Sequence, residues 1–320
     1  MGLRDARPGR VVREHRGAWD VVTDSGQHTI GVSGAKRHKS GPLELPAVGD
    51  WVACHLLKGR KKGSLLAVLP RRSLFVRKAA GLKARPQAVA ANVDLALVVL
   101  GLDGDFNMRR LERYLAAIAD SGARAVVVLN KRDLDQTWSE RVHEVAGRAE
   151  VDVVATDAKK GELDRLPELF KKGETLCLVG SSGVGKSTLL NRLMGSEVAR
   201  TANVRERDQK GRHTTTHREL FELPGGALMI DTPGMRELSL WEADRGLDVA
   251  FEDITSLAGQ CGFRDCGHRT EQNCAVLAAV QAGSIPAERL ESWRTLRGEL
   301  DALATQRELD RRRSGRGRPK

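Results

Sequence analysis

Leu176-Cys177-Leu178-Val179-Gly180-Ser181-Ser182-Gly183-Val184-Gly185-Lys186-Ser187-Thr188 is the stretch on which the fold turns. Four apolar residues read as a buried strand. Gly180 to Ser187 then satisfies G-x-x-x-x-G-K-[ST], and Thr188-Leu189-Leu190-Asn191-Arg192-Leu193 continues with helical periodicity. Strand, glycine-rich turn and helix together make a phosphate cradle. The glycines let backbone N–H groups turn inward around phosphate oxygens, and the helix start adds its positive end. Lys186 is expected on the β- and γ-phosphates, as a candidate catalytic residue. Ser187 is expected to give its hydroxyl to Mg²⁺.

Downstream, the apolar Ala227-Leu228-Met229-Ile230 leads into Asp231-Thr232-Pro233-Gly234. Asp231 there suits a water-mediated hold on Mg²⁺, and the Gly234 N–H suits the γ-phosphate. Between the two motifs lies Gly211-Arg212-His213-Thr214-Thr215-Thr216-His217-Arg218, where a threonine should complete the Mg²⁺ shell. The reading favours Thr215 or Thr216 and leaves the choice open. Upstream, Asn130-Lys131-Arg132-Asp133 follows the apolar run Val126 to Leu129. In this N-K-x-D arrangement Asp133 would accept from the N1–H and 2-amino group of guanine, donors that adenine lacks. Asn130 would brace the loop, and Lys131 would lie along the base. After the next strand, Ala155-Thr156-Asp157-Ala158-Lys159 holds the place where a backbone N–H would meet guanine O6, with the register open between Thr156-Asp157 and Asp157-Ala158-Lys159. Base-reading loops therefore precede the phosphate loop, and the switches follow it. That order predicts a circularly permuted GTPase, with the segment after Gly234 leading directly into whatever comes next.

Further outward, Val93 to Leu100 is a nearly continuous apolar run, Arg109 to Asp120 has helical spacing, and strands at Ala125–Leu129 and Val151–Val154 alternate with helices, one of them near Leu163–Phe170. This calls for a parallel sheet with helices on both faces. Residues from about 10 to 70 read instead as short strands with turns and two basic loops, Ala35 to Ser40 and Lys58 to Gly63. A small barrel follows, oligonucleotide-binding or SH3-like. Past about 245 the strand pattern stops. A charged helix from about Pro286 ends in Arg311 to Lys320, a tail whose composition suits disorder.

The net charge of +11 over 320 residues favours a polyanionic partner such as nucleic acid. No apolar run approaches the ~20 residues of a membrane span, and Met1 to Pro8 has no signal-like apolar stretch, so a cytoplasmic protein is expected, with a monomer as the default. Of five cysteines, Cys54 and Cys177 stand alone in apolar contexts, whereas Cys261, Cys266 and Cys274 crowd around His268. Three thiolates and an imidazole suit one tetrahedral structural Zn²⁺ with no open position.

Taken together, Val48-Gly49-Asp50, Ala91-Asn92-Val93-Asp94, the permuted motif order, His213-Thr214-Thr215-Thr216 and the Cys261–Cys274 cluster resemble the bacterial family of ribosome small-subunit-dependent GTPase A proteins, over nearly the whole chain. The resemblance implies a multidomain α/β chain: an OB-type barrel over 1–75, a circularly permuted P-loop GTPase over 85–242, and a zinc-binding helical domain over 243–320. It also implies GTP hydrolysis on the 30S subunit and its 16S rRNA late in maturation. The alternative is a GTP-controlled rRNA-binding module in which turnover is incidental. Where many GTPases place a water-orienting glutamine after D-x-x-G, this chain has Met235. His213 is the best remaining candidate to orient water, and the resemblance supports it.

Overall fold

The computed structural model describes all residues except 1–5, 35–39, 58, 80–84, 105, 196–217, 232–240, 242 and 316–320. His213, Thr214, Thr215, Thr216, Gly234 and Met235 therefore lie outside the described residues.

Alternating apolar residues build the first unit. Strands β1 (Arg7–His15), β2 (Ala18–Thr23), β3 (Gly26–Gly31), β4 (Trp51–Leu56) and β5 (Lys62–Val68) turn Val11, Trp19, Val21, Ile30, Val52, Cys54 and Leu65 into one interior. All pairings are antiparallel except β3 with β5, and β1 pairs with both β2 and β4. The circuit β1-β2-β3-β5-β4-β1 is closed, which is the OB-type Greek-key barrel and removes the SH3-like alternative. A hairpin of β6 (Leu74–Lys78) and β7 (Pro86–Ala91) follows, straddling the expected boundary between the first two domains.

The apolar runs become strands β8 (Leu95–Gly101), β9 (Arg124–Asn130), β10 (Asp152–Thr156) and β11 (Thr175–Val179). A short β12 (Glu219–Glu222) precedes β13 (Leu228–Asp231). The sheet runs β10-β9-β8-β11-β13 in parallel, with β12 antiparallel on β13. Both faces are buried, as a continuous run requires. Ala96, Val98 and Leu100 share one core with α1 (Met108–Ser121) and with Val145 of α2 (Trp138–Ala149). Leu95, Leu97 and Val99 share the other with Leu189 and Leu190 of α3 (Lys186–Met194).

Beyond the sheet come α4 (Asp244–Ala250), α5 (Glu252–Ala258), α6 (Ala275–Gln281) and α7 (Ala287–Gly315). They extend the α1-side core through Leu247, Phe251, Ile254, Val276, Leu290 and Leu296. Helix α4 crosses α1 at Gly246, where a Cβ would stand 2.0 Å from the Ala116 carbonyl oxygen. The buried Arg289 of α7 joins Glu112 of α1, at 3.1 Å, to Asp253 of α5, at 2.6 and 2.7 Å.

Two elements differ from the sequence reading. The stretch near Leu163–Phe170 holds only a 3₁₀ turn, Leu166–Leu169, because Asp164 sits in the left-handed region and Pro167 lacks the N–H a longer helix would need. Helix α7 also runs on through Gly315, into the segment read as a disordered tail.

Candidate nucleotide-binding site and metal centre

The cradle forms where β11 stops. Gly180 has φ +145°, and a Cβ there would stand 2.3 Å from the Val99 carbonyl oxygen of β8. Gly185 has φ +99°, and a Cβ there would meet the Asn130 amide nitrogen at 2.2 Å. Both positions thus require glycine, for backbone conformation and for close approach. Gly185 also starts α3 with no side-chain cap, which leaves the first N–H groups for an anion. Ser182 and Gly183 are exposed, and Val184 is buried beneath them. Lys186 donates to the carbonyl oxygens of Gly180, at 2.7 Å, and Ser181. Ser187 and Thr188 occupy the next positions of the helix. Asp231 ends β13, which lies beside β11 and parallel to it, so its carboxylate belongs to the same end of the sheet.

Asn130 joins the phosphate side to the base side. It is buried at the end of β9 and donates through Nδ2 to the Val184 carbonyl oxygen at 2.9 Å. Its Oδ1 accepts from the Thr156 hydroxyl at 3.1 Å and from the Ala158 N–H at 3.0 Å. One side chain therefore holds both loops. Lys131 follows in the left-handed region (φ +63°) and pairs with Asp103, while Asp133 lies exposed in the turn Arg132–Leu134. Asp157 is buried. Burial alone would raise its carboxyl, but the Lys160 N–H, at 3.2 Å, and the Lys160 ammonium hold it below its ordinary value.

Three contacts escaped the sequence reading. Asp103, just past the end of β8, holds Lys131. Arg110, in the first turn of α1, donates to Ser181 Oγ at 3.1 Å. Arg192, near the end of α3, donates to the carbonyl oxygens of Ala158 and Lys159. None belongs to a motif. The one signal was general: ligands of parallel sheets gather at the carboxyl ends of strands, where Asp103 sits.

The second site lies among the C-terminal helices. Cys261, Cys266, His268 and Cys274 bring their ligand atoms within 4.8 Å of one another. Cys261 and Cys274 sulfurs are 3.8 Å apart, the separation expected for two sulfurs held tetrahedrally about 2.3 Å from one ion. His268 turns Nδ1 toward Cys274, at 3.3 Å, and Cys261, at 3.6 Å, and burial lowers its pKa, which favours the neutral ligating form. The Leu277 N–H points at the Cys274 sulfur, and Trp293 packs on the His268 ring at 5.3 Å. Glu271 accepts from its own N–H and from those of Arg269, Gly267 and Thr270, which together hold its carboxyl down to about 2 and fix the loop. Donor set and spacing fit a tetrahedral ion.

Residues 68–241 match the family model described as RsgA GTPase. A protein of Syntrophotalea carbinolica called Small ribosomal subunit biogenesis GTPase RsgA is 43% identical over 318 residues, covering 96% of this chain and 86% of that protein. One of the same name from Xylella fastidiosa strain M23 is 45% identical over 311 residues, covering 95% and 91%. Among solved structures, YjeQ from Thermotoga maritima superposes with a TM-score of 0.68 at 27% identity, covering 92% of this chain and 98% of that one. YloQ, described as a circularly permuted GTPase, shares the fold with a TM-score of 0.66 at 23% identity, covering 94% and 97%. A permuted sheet, a closed barrel ahead of it and a Cys₃His cluster behind it agree with these likenesses, and the chain belongs to the RsgA GTPase family.

Proposed function

We propose that this chain binds and hydrolyses GTP in biogenesis of the small ribosomal subunit, with the 30S particle and its 16S rRNA as partners. The observation that carries the reading is the double engagement of Asn130, which ties the Gly180–Ser187 loop to the loop after β10, with Asp133 in the turn that follows β9. The proteins it resembles are named for that process, and a net charge of +11 suits an RNA surface.

In this reading Lys186 leaves its carbonyl partners for the β- and γ-phosphates, and the uncapped N–H groups of α3 receive the phosphate oxygens. Gly180 to Thr188 wrap the phosphates. Asp133, Lys131, Thr156 and Asp157 frame the guanine. Ser187 and Thr215, or Thr216 in its place, would hold Mg²⁺ with Asp231 behind them; the ion supplies charge neutralisation at the phosphates. His213 orients the attacking water in place of the absent glutamine, and Gly234 meets the γ-phosphate. Cys261, Cys266, His268 and Cys274 would hold one structural zinc that braces the C-terminal helices. No helix among the described residues is long and apolar enough to cross a membrane, and we place the protein in the cytoplasm as a monomer.

Measuring GTP turnover with and without 30S subunits tests the reading. Stimulation by the subunit, lost in His213→Ala with GTP affinity kept, is the expected result. Turnover indifferent to 30S would leave a GTP-regulated RNA-binding protein instead.

A further inference from the structure

The helix that starts the phosphate cradle also reaches the base loop at its other end. Arg192 lies six residues beyond Lys186 on α3, about 9 Å along the axis at ~1.5 Å per residue. Its Nε donates to the Ala158 carbonyl oxygen at 3.0 Å and its Nη2 to the Lys159 carbonyl oxygen at 2.8 Å. Gly161, with φ +86°, passes beside the guanidinium, where a Cβ would stand 3.8 Å from its central carbon. The loop is also closed on itself, since Asp157 and Glu162 exchange backbone hydrogen bonds at 2.9 and 3.0 Å.

These contacts fix more than position. A peptide unit is planar, so turning a carbonyl one way turns the following N–H the other way. With two consecutive carbonyls held by one planar fork, the loop keeps a single set of N–H directions. Asn130 holds the loop from the strand side through the Ala158 N–H, and Arg192 holds it from the helix side.

We propose that Arg192 is a positioning residue for guanine recognition: by fixing the carbonyls of Ala158 and Lys159 it sets how tightly the 157–161 loop reads guanine O6, and it links that loop to the helix carrying Lys186. The inference rests on the reading of this loop as the O6-facing one. Arg192 touches neither base nor phosphate. The ligand group it governs is the 6-oxo group, distinct from the N1–H and 2-amino edge assigned to Asp133.

The test compares Arg192→Met, which keeps an unbranched stem and removes the donors, with Arg192→Lys, which keeps a charge without the fork. GDP is titrated against the diphosphate of 2-aminopurine riboside, which keeps the 2-amino group and lacks O6 together with the N1–H, each variant being compared with the unmutated chain on the same ligand. Arg192→Met should weaken GDP about tenfold and move the O6-less analogue less than twofold. The KM for GTP should rise while kcat at saturation holds, and Arg192→Lys should fall between. Equal weakening of both ligands, or unchanged GDP affinity, overturns the proposal. Asp133→Asn, titrated with GDP and xanthosine diphosphate, separates the two readings. A shift toward the xanthine nucleotide upholds the guanine site whatever Arg192 does. No shift removes the site and the Arg192 proposal with it.

Discussion

The nucleotide cradle and the seam between barrel and sheet are both held by hydrogen bonds, yet the partners differ in kind. In the cradle Lys186 rests on the Gly180 and Ser181 carbonyl oxygens, and the start of α3 has no side-chain cap. Those groups can exchange their partners for phosphate oxygens. In the seam the polar groups close on one another. Asp50 is fully buried and accepts from the Ala47 N–H at 2.8 Å and from Arg71 Nε and Nη2 at 2.8 and 2.7 Å. Arg71 donates further to the carbonyl oxygens of Leu43 and Leu45. Asn92 donates to the Gly49 carbonyl oxygen, and Arg10 reaches the Thr175 hydroxyl on the strand that feeds the phosphate loop. Arg218, two residues past Thr216, pairs with Glu14 of the barrel and donates to the Ala88 carbonyl oxygen. Replaceable partners make a ligand site, and irreplaceable ones fix how two domains sit.

That contrast breaks most easily at Gly49. Its φ is +92°, and a Cβ would stand 2.1 Å from the Ala91 carbonyl oxygen and 2.9 Å from Ile230 Cδ1. Gly49→Ala should cost more than about 4 kcal/mol of stability, read by denaturant unfolding. A stable variant with native affinity for GTP would mean that the seam yields, and that it is no more rigid than the cradle.

Lys186→Ala should show the opposite pattern. Losing one donor that neutralises developing charge should lower kcat/KM for GTP about 10²–10³-fold. Because the carbonyl oxygens of Gly180 and Ser181 that Lys186 bonds belong to the same loop, the unfolding midpoint should hold. A large loss of stability there would show that the ligand-free contacts are structural after all.

Next in size is Asp50→Asn. The amide keeps one acceptor but turns an NH₂ toward Arg71 or the Ala47 N–H, leaving buried donors face to face. A loss of about 2–3 kcal/mol is expected, with GDP affinity per folded molecule unchanged. Altered affinity would show that the seam acts on the site as well as on the fold.

The same division decides what could be read from sequence. The candidate cradle is built from contiguous motifs, so the close approaches at Gly180 and Gly185 and the contacts of Asn130 and Lys186 fall on residues that can be picked out one by one. The sheet is legible because strands buried on both faces must be apolar throughout. The barrel's closure is not, since the parallel β3–β5 pairing and the return of β4 to β1 leave no local trace. The seam is harder still. Val48-Gly49-Asp50 and Ala91-Asn92-Val93-Asp94 stand out as motifs, but the partners that explain them lie elsewhere in the chain: Asp50 with Arg71, and Asp94 with the Thr175 N–H. Arg192 had no signal, because it bonds to carbonyl oxygens, which any sequence supplies. At Leu166–Leu169 apolar spacing over so few residues cannot tell one turn from three, and the chain makes only the one.

The smallest effect should come from Asp157, where the cradle behaves like the seam. Its carboxylate is buried yet held ionised by the Lys160 N–H and ammonium, a contact the nucleotide is not expected to replace. A depressed folded-state pKa means its contribution is present above the ordinary value of 3.8 and is lost only as pH falls through the lower folded value. Across pH 6 to 8 the group stays ionised, so GDP affinity should show no step that Asp157→Asn abolishes. That variant should weaken GDP about threefold, since a neutral amide still accepts from the Lys160 N–H and forfeits only the charge. A pH step near neutrality that vanishes in Asp157→Asn would place its pKa far above the direction the contacts dictate. It would then mark the base loop as a ligand-exchanging surface throughout, with no seam-like element in it.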